Sequence, residues 1–204
     1  MQIEGVETFL VSGFLIVRIT TDDGIQGIGE STYWAVPKAA QETVRSFADD
    51  LIGADPANIE HIWNYLHRKH SFRGNSLAGA ISAIDIALWD IAGQSMGEPI
   101  YNLLGGMSRD KIRIYNTIGS YGEYQDNEWE LKDPAGLAQS YIDEGITMFK
   151  SYYSMAIPRD DQGNFVAAKD IRKALEPLEK VRNAVGDQIE IEHDGGGQWS
   201  LPAA

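Results

Sequence analysis

The chain has 204 residues, 43% of them hydrophobic, enough for one large or two modest domains. Its net charge of −13 argues against nucleic-acid phosphates as partners, and the absence of cysteine excludes disulfides and thiolate metal sites. An anionic substrate is also disfavoured unless a metal or local cations invert the field. No continuous apolar run approaches the ~20 residues of a membrane span. The N-terminus reads as a strand, not a signal peptide. The expectation is a cytoplasmic protein that binds neither membrane nor nucleic acid.

Residues 2–11 and 14–20 are rich in β-branched and aromatic residues, and Ser12-Gly13 between them is a two-residue hairpin signal. Thr21-Asp22-Asp23-Gly24 is a second turn leading into 25–31, which completes a three-stranded meander. Gly27 and Gly29 keep the third strand thin, so an element can pack closely on it. Helices are expected over 37–51 and 56–67, each opening on proline, with Asp55 as the second N-cap. His67–Asn75 is expected to be a basic loop in an acidic chain, which either solvates a helix end or reaches over an anionic ligand. In 77–93, Leu77, Ile81, Ile84, Leu88 and Ile91 form one apolar stripe, with Asp85 and Asp90 expected to pair with backbone or arginine. Gly93 and Gly97 are expected to end that helix.

A composition shift at 107–111 is the expected boundary between domains 1–108 and 109–204. Beyond it, a strand is expected at 112–118, a polar loop at 119–132 and a helix at 133–144. A strand at 146–152, a polar loop, a helix at 166–185 and a strand at 188–194 follow. That alternation means parallel βαβ units. Lys150 closes one strand and Asp194 the next, with a helix between. They are either surface charges or groups at the C-terminal mouth of a (β/α) barrel.

The stretch SAIDIALWDIAGQSMGEPIYNLLGG (82–106) resembles the mandelate racemase/muconate lactonizing branch of the enolase superfamily. TDDGIQGIGES (21–31), FRGNSLAGAISAID (72–85), GITMFK (145–150) and GDQIEIEHD (186–194) agree with it. The short Ser12-Gly13 hairpin and the Arg73-Gly74 loop look like its acid-sugar dehydratases of the galactonate type. The resemblance implies an α+β capping domain, a three-stranded meander plus helices, followed by the first part of a (β/α) TIM-type barrel. It implies Mg²⁺ and abstraction of the proton α to a carboxylate, with an acid sugar dehydrated to a 2-keto-3-deoxy acid. Such a proton is weakly acidic, and a divalent cation on the carboxylate stabilises the developing charge.

By the same resemblance, Asp194 stands at the first metal ligand and Lys150 at the first lysine of a KxK motif, beside the substrate carboxylate. Tyr152 stands at the second lysine, as a catalytic phenol. Tyr33, His67 and Arg73 are expected substrate contacts from the capping domain, and a homo-oligomer is implied. Two departures weigh against a straight transfer. Tyr152 replaces a lysine, which demotes racemisation, and Gly196 stands where a general-acid histidine is expected. His193 is expected to face outward. Only three of eight barrel strands are read, so the expectation is an N-terminal portion that holds Mg²⁺ poorly and is inactive alone. The alternatives are a racemase, epimerase or cycloisomerase of this family, or a non-catalytic module.

Overall fold

The computed structural model describes residues 1–31, 36–121, 124–151 and 167–195. The chain divides into two compact units, Met1–Asp110 and Lys111–Ala204.

In the first unit, β1 (Ile3–Val11), β2 (Phe14–Thr21) and β3 (Gln26–Ser31) form an antiparallel sheet in that order. Ser12 and Gly13 both hold positive φ, 49° and 89°, the twist that a two-residue hairpin needs. Leu15, Val17 and Ile19 of β2 point into the core by strand alternation. Over that face lie α1 (Pro37–Leu51), α2 (Ile59–Lys69) and α3 (Asn75–Met96), followed by the single turn α4 (Ile100–Leu103). All five residues of the expected stripe on α3 are buried. The helix runs through Gly93 and stops at Gly97, whose φ of 67° is left-handed.

Helix α3 lies on β3 at backbone contact. A Cβ on Gly27 would stand 2.1 Å from the Ala87 carbonyl, and one on Gly29 only 1.8 Å from that of Ala83. One step further along, Ser31 Oγ lies 2.7 Å from a Cβ built on Gly79. The spacing has a geometric cause. Two strand residues advance about 6.6 Å and four helix residues 6.0 Å, so the two rows stay matched over three contacts. Asp90 pins the pair by accepting from the Ile28 N–H at 2.8 Å, and Gln94 donates to the Gln26 carbonyl at 2.7 Å. By length and composition alone α3 could cross a membrane. The continuous-run criterion misses this because serines and aspartates interrupt the apolar residues. Here α3 is the central helix of the core.

Two expectations for this unit are corrected. The second helix begins at Ile59, after Asn58, not at Pro56. Asp55 instead accepts from the Ala57 N–H at 3.0 Å, and the Asn58 N–H closes a turn on the Asp55 carbonyl. His67, Arg68 and Lys69 are not in a loop. They form the last turn of α2, where cations suit the helix dipole, and Lys69 pairs with Asp50.

The second unit has β4 (Asn116–Thr117), a small hairpin of β5 (Ser120–Tyr121) and β6 (Tyr124–Gln125), then α5 (Asp126–Lys132) and α6 (Pro134–Asp143). Strand β7 (Met148–Ser151), α7 (Ala168–Val185), a 3-10 turn at Gly186–Gln188 and β8 (Glu190–His193) complete it. The sheet order is β4-β7-β8, all parallel. Phe149, Leu137, Tyr141, Val181 and Ile189 form its core.

Here too the sequence-based expectations need correction. The strand expected at 112–118 pairs with β7 only at Asn116, opposite Phe149, and at Thr117, opposite Lys150. Ile112 and Ile114 are exposed. The polar loop expected at 119–132 contains the β5–β6 hairpin and α5. Asp126 and Glu128 in the first turn of α5 and Lys132 in the last complement its dipole, while Glu130 is buried.

The contact between α3 and β3 makes a prediction. Gly29→Ala should lower the unfolding free energy by about 1–3 kcal/mol in urea titrations. Gly74→Ala, with no atom within 4 Å of the added Cβ, should change it by far less. Equal effects would mean that backbone proximity is not what glycine serves at position 29.

Candidate active site

In a parallel ladder, paired residues share a face. Thr117 pairs with Lys150, and Lys150 with Glu192. Asp194 lies two residues beyond Glu192, so Lys150, Glu192 and Asp194 share one face. Phe149, Ser151, Ile191 and His193 share the other. The ladder extends past β8 itself, because the Asp194 N–H donates to the Ser151 carbonyl at 3.0 Å.

The result is a charged pair at the strand ends. Lys150 Nζ lies 3.4 Å from Asp194 Oδ2, with the lysine side chain 12% exposed and the aspartate 32%. Tyr115 joins them. Its hydroxyl is 3.3 Å from Nζ, and the ammonium stands 5.2 Å from its ring centroid. Near the start of the same strands, Arg113 pairs with Glu190 at 2.9 Å and donates to the Thr147 carbonyl at 3.0 Å. Sequence reasoning missed Tyr115 and Glu192. Alternation could have found Glu192, since 190, 192 and 194 share parity, whereas Tyr115 needs knowledge of which strands are neighbours.

A buried polar layer supports the strand ends from behind. Ser151, fully buried, donates a hydrogen bond to Glu130 of α5, itself 4% exposed. Burial pushes the Glu130 carboxyl above its usual range, and the Ser151 bond offsets only part of that. The Tyr141 hydroxyl donates to Asp126 at 2.7 Å, and burial, then that bond, push the phenol up. His193 is held below the usual imidazole range by burial, against the opposing field of Asp194.

His67 and Arg73 meet each other in the first unit, where Arg73 Nε donates to the His67 carbonyl at 3.1 Å. The His67 ring stacks on Trp63 at 4.7 Å. Tyr33, Tyr152 and Gly196 fall outside the described residues.

With this geometry in place, comparison with known proteins is decisive at the family level. Residues 4–105 match the N-terminal domain of the mandelate racemase/muconate lactonizing enzymes. The chain belongs to that family. It is 34% identical over 206 residues to a D-galactonate dehydratase of Pectobacterium atrosepticum, covering 100% of this chain and 50% of that protein. The crystal structure of an enolase of the mandelate racemase subgroup from Agrobacterium tumefaciens superposes with a TM-score of 0.79 at 36% identity, covering 99% of this chain and 52% of the other. A mandelate racemase/muconate lactonizing enzyme from Jannaschia sp. CCS1 gives 0.83 at 28% identity, covering 100% and 56%. The chain thus spans about half the length of the curated relatives it matches. The fold is the α+β capping domain of the family, followed by the opening strands of its (β/α) barrel.

The family implies Mg²⁺, and the described residues fit it only in part. Carboxylate oxygen is the right donor. Among the described residues, however, no three His, Asp or Glu side chains converge, and the Lys150 ammonium already lies against Asp194. They do not complete a magnesium site.

Glu130 makes this region's stability depend on pH. A carboxyl held above its unfolded value favours the fold fully below about pH 4.5, and that contribution fades as pH rises through the folded value. Glu130→Gln should therefore gain on the wild type in urea unfolding as pH is raised from about 4.5 to 8. A difference independent of pH would contradict the buried carboxyl. Ser151→Ala, which removes the donor to a buried acceptor, should cost about 1–3 kcal/mol in the same measurement.

Proposed function

We propose that this chain contributes to the abstraction of a proton α to a carboxylate, in the dehydration of an acid sugar to a 2-keto-3-deoxy acid. The observation that carries the reading is the convergence of Lys150 and Asp194, 3.4 Å apart at neighbouring strand ends, in a chain akin to D-galactonate dehydratases. A largely buried ammonium is suited to neutralise a substrate carboxylate in a protein of net charge −13. That neutralisation makes the α-proton more acidic, because the enediolate carries its second negative charge on the same oxygens. Tyr115, whose hydroxyl and ring both face the ammonium, would orient it.

No step is assigned to Mg²⁺, since the described residues do not complete its site. Asp194 is the one residue here with a proposed ligand role. Tyr152 as a catalytic phenol, and Tyr33, His67 and Arg73 as substrate contacts, remain parts of the proposal. So do a homo-oligomer and a cytoplasmic location.

The test is an assay of the full-length gene product on a panel of aldonic and aldaric acids. Formation of 2-keto-3-deoxy acids is expected, and Lys150→Ala should lower kcat by about 10²–10³-fold while the fold persists. Isomeric products carrying solvent deuterium at the α-carbon would replace dehydration by racemisation or epimerisation. Retained turnover in the lysine variant would remove Lys150 from the mechanism.

A second reading starts from the described residues, among which no three His, Asp or Glu side chains converge. The chain by itself would be a non-catalytic module. Calorimetric titration with Mg²⁺ separates the two: heat that Asp194→Ala abolishes supports a working metal site, and no heat supports the module.

A further inference from the structure

The first unit carries a cleft far from the chemistry of the Lys150 strand in sequence. It lies between α2 and α3, has a volume of about 590 Å³, and is lined by Ala57, Ile59, Glu60, Trp63, Asp85 and Trp89. Two indoles and two carboxylates line it, and none of the lining residues is cationic. Glu60 holds Asn64 of its own helix at 3.0 Å. Asp85, half-buried, makes no hydrogen bond or ion pair among the described residues, although it sits mid-helix in the most apolar element of the fold. The Asp85 carboxyl is pushed above its usual range, first by burial and then by Glu60. Two like charges held together over apolar surface cost free energy, and a bound cation recovers it while keeping both carboxylates charged.

We propose that this cleft docks an arginine side chain presented by a protein partner. The chemistry favours guanidinium over other cations. It is planar and weakly hydrated, stacks on indole faces, and meets carboxylates with paired donors. The surroundings favour a protein over a free small molecule. Trp63, which lines the cleft, is 38% exposed. Apolar surface therefore stands open at the cleft, in the exposed indole of Trp63, as at an interface built around an aromatic and arginine centre. The site accounts for Asp85 in a helix that otherwise buries aliphatic side chains, where Asp90 has a backbone partner and Asp85 has none among the described residues.

The test is titration of the intact chain with N-acetyl-arginine methylamide, followed by the indole N–H resonances of Trp63 and Trp89. Each resonance is assigned from its Trp→Phe variant. Saturable shifts of both are expected, with N-acetyl-glutamine methylamide producing neither. The combined variant Glu60→Gln, Asp85→Asn should weaken the arginine probe by about tenfold or more. Asp85→Asn alone keeps the helix isosteric and removes one of two repelling charges, so its thermal midpoint should be unchanged or raised. This separates lost binding from lost folding. An arginine probe that shifts nothing, that binds no better than glutamine, or that is indifferent to both substitutions overturns the proposal. Tetramethylammonium binding more tightly than arginine would also overturn it, assigning the cleft to a free organic ammonium.

Discussion

The parallel register between β7 and β8 is the constraint on which the candidate site depends. Pairing Lys150 with Glu192 fixes which side chains share a face. Since side chains alternate, a slip of one residue would send Asp194 to the helix side and bring His193 to the lysine. Two features hold the register. Phe149 and Ile191 face the apolar core, so a slip would expose them. The Asp194 N–H closes the last rung on the Ser151 carbonyl, while the Ser151 side chain is tied to Glu130. Ser151 thus joins three elements at one point: the lysine strand, the aspartate strand and α5.

The first unit follows a similar logic with different groups. Its sheet and α3 approach until only hydrogen fits between strand and helix carbonyls, which is why positions 27 and 29 are glycine. That proximity brings Asp90 within reach of the Ile28 N–H and satisfies a carboxylate that would otherwise be expensive beside an apolar stripe. Asp85 is the contrasting case. It lies five residues earlier on the same helix, faces α2 rather than the sheet, and opens into the cleft beside Glu60.

What was legible in the sequence followed from strong local periodicity. The α3 stripe, the Ser12-Gly13 hairpin and the thin third strand could be read because each rests on a rule of spacing or of permitted φ. The opening of the second unit could not. A strand exists only where a partner runs alongside, and nothing local in 112–118 reveals that β7 pairs with residues 116 and 117 alone. Residues 119–132 read as a loop because their polarity conceals α5, whose buried face is made by a carboxylate, Glu130, rather than by aliphatic residues. The start of α2 was misread because Asp55-Pro56 suits a turn as well as a helix cap. The faces of Lys150 and Asp194 follow from alternation, whereas Tyr115 depends on knowing which strands are neighbours.

The absence of native cysteine permits a direct measurement of the shared face. Lys150→Cys with Asp194→Cys, treated with dibromobimane, should become fluorescent as the reagent bridges the two thiols. Ser151→Cys with Asp194→Cys, whose side chains point to opposite faces, should not. Bridging in the second pair and not the first would place the ammonium and the carboxylate on different sides of the sheet and end the account of the site.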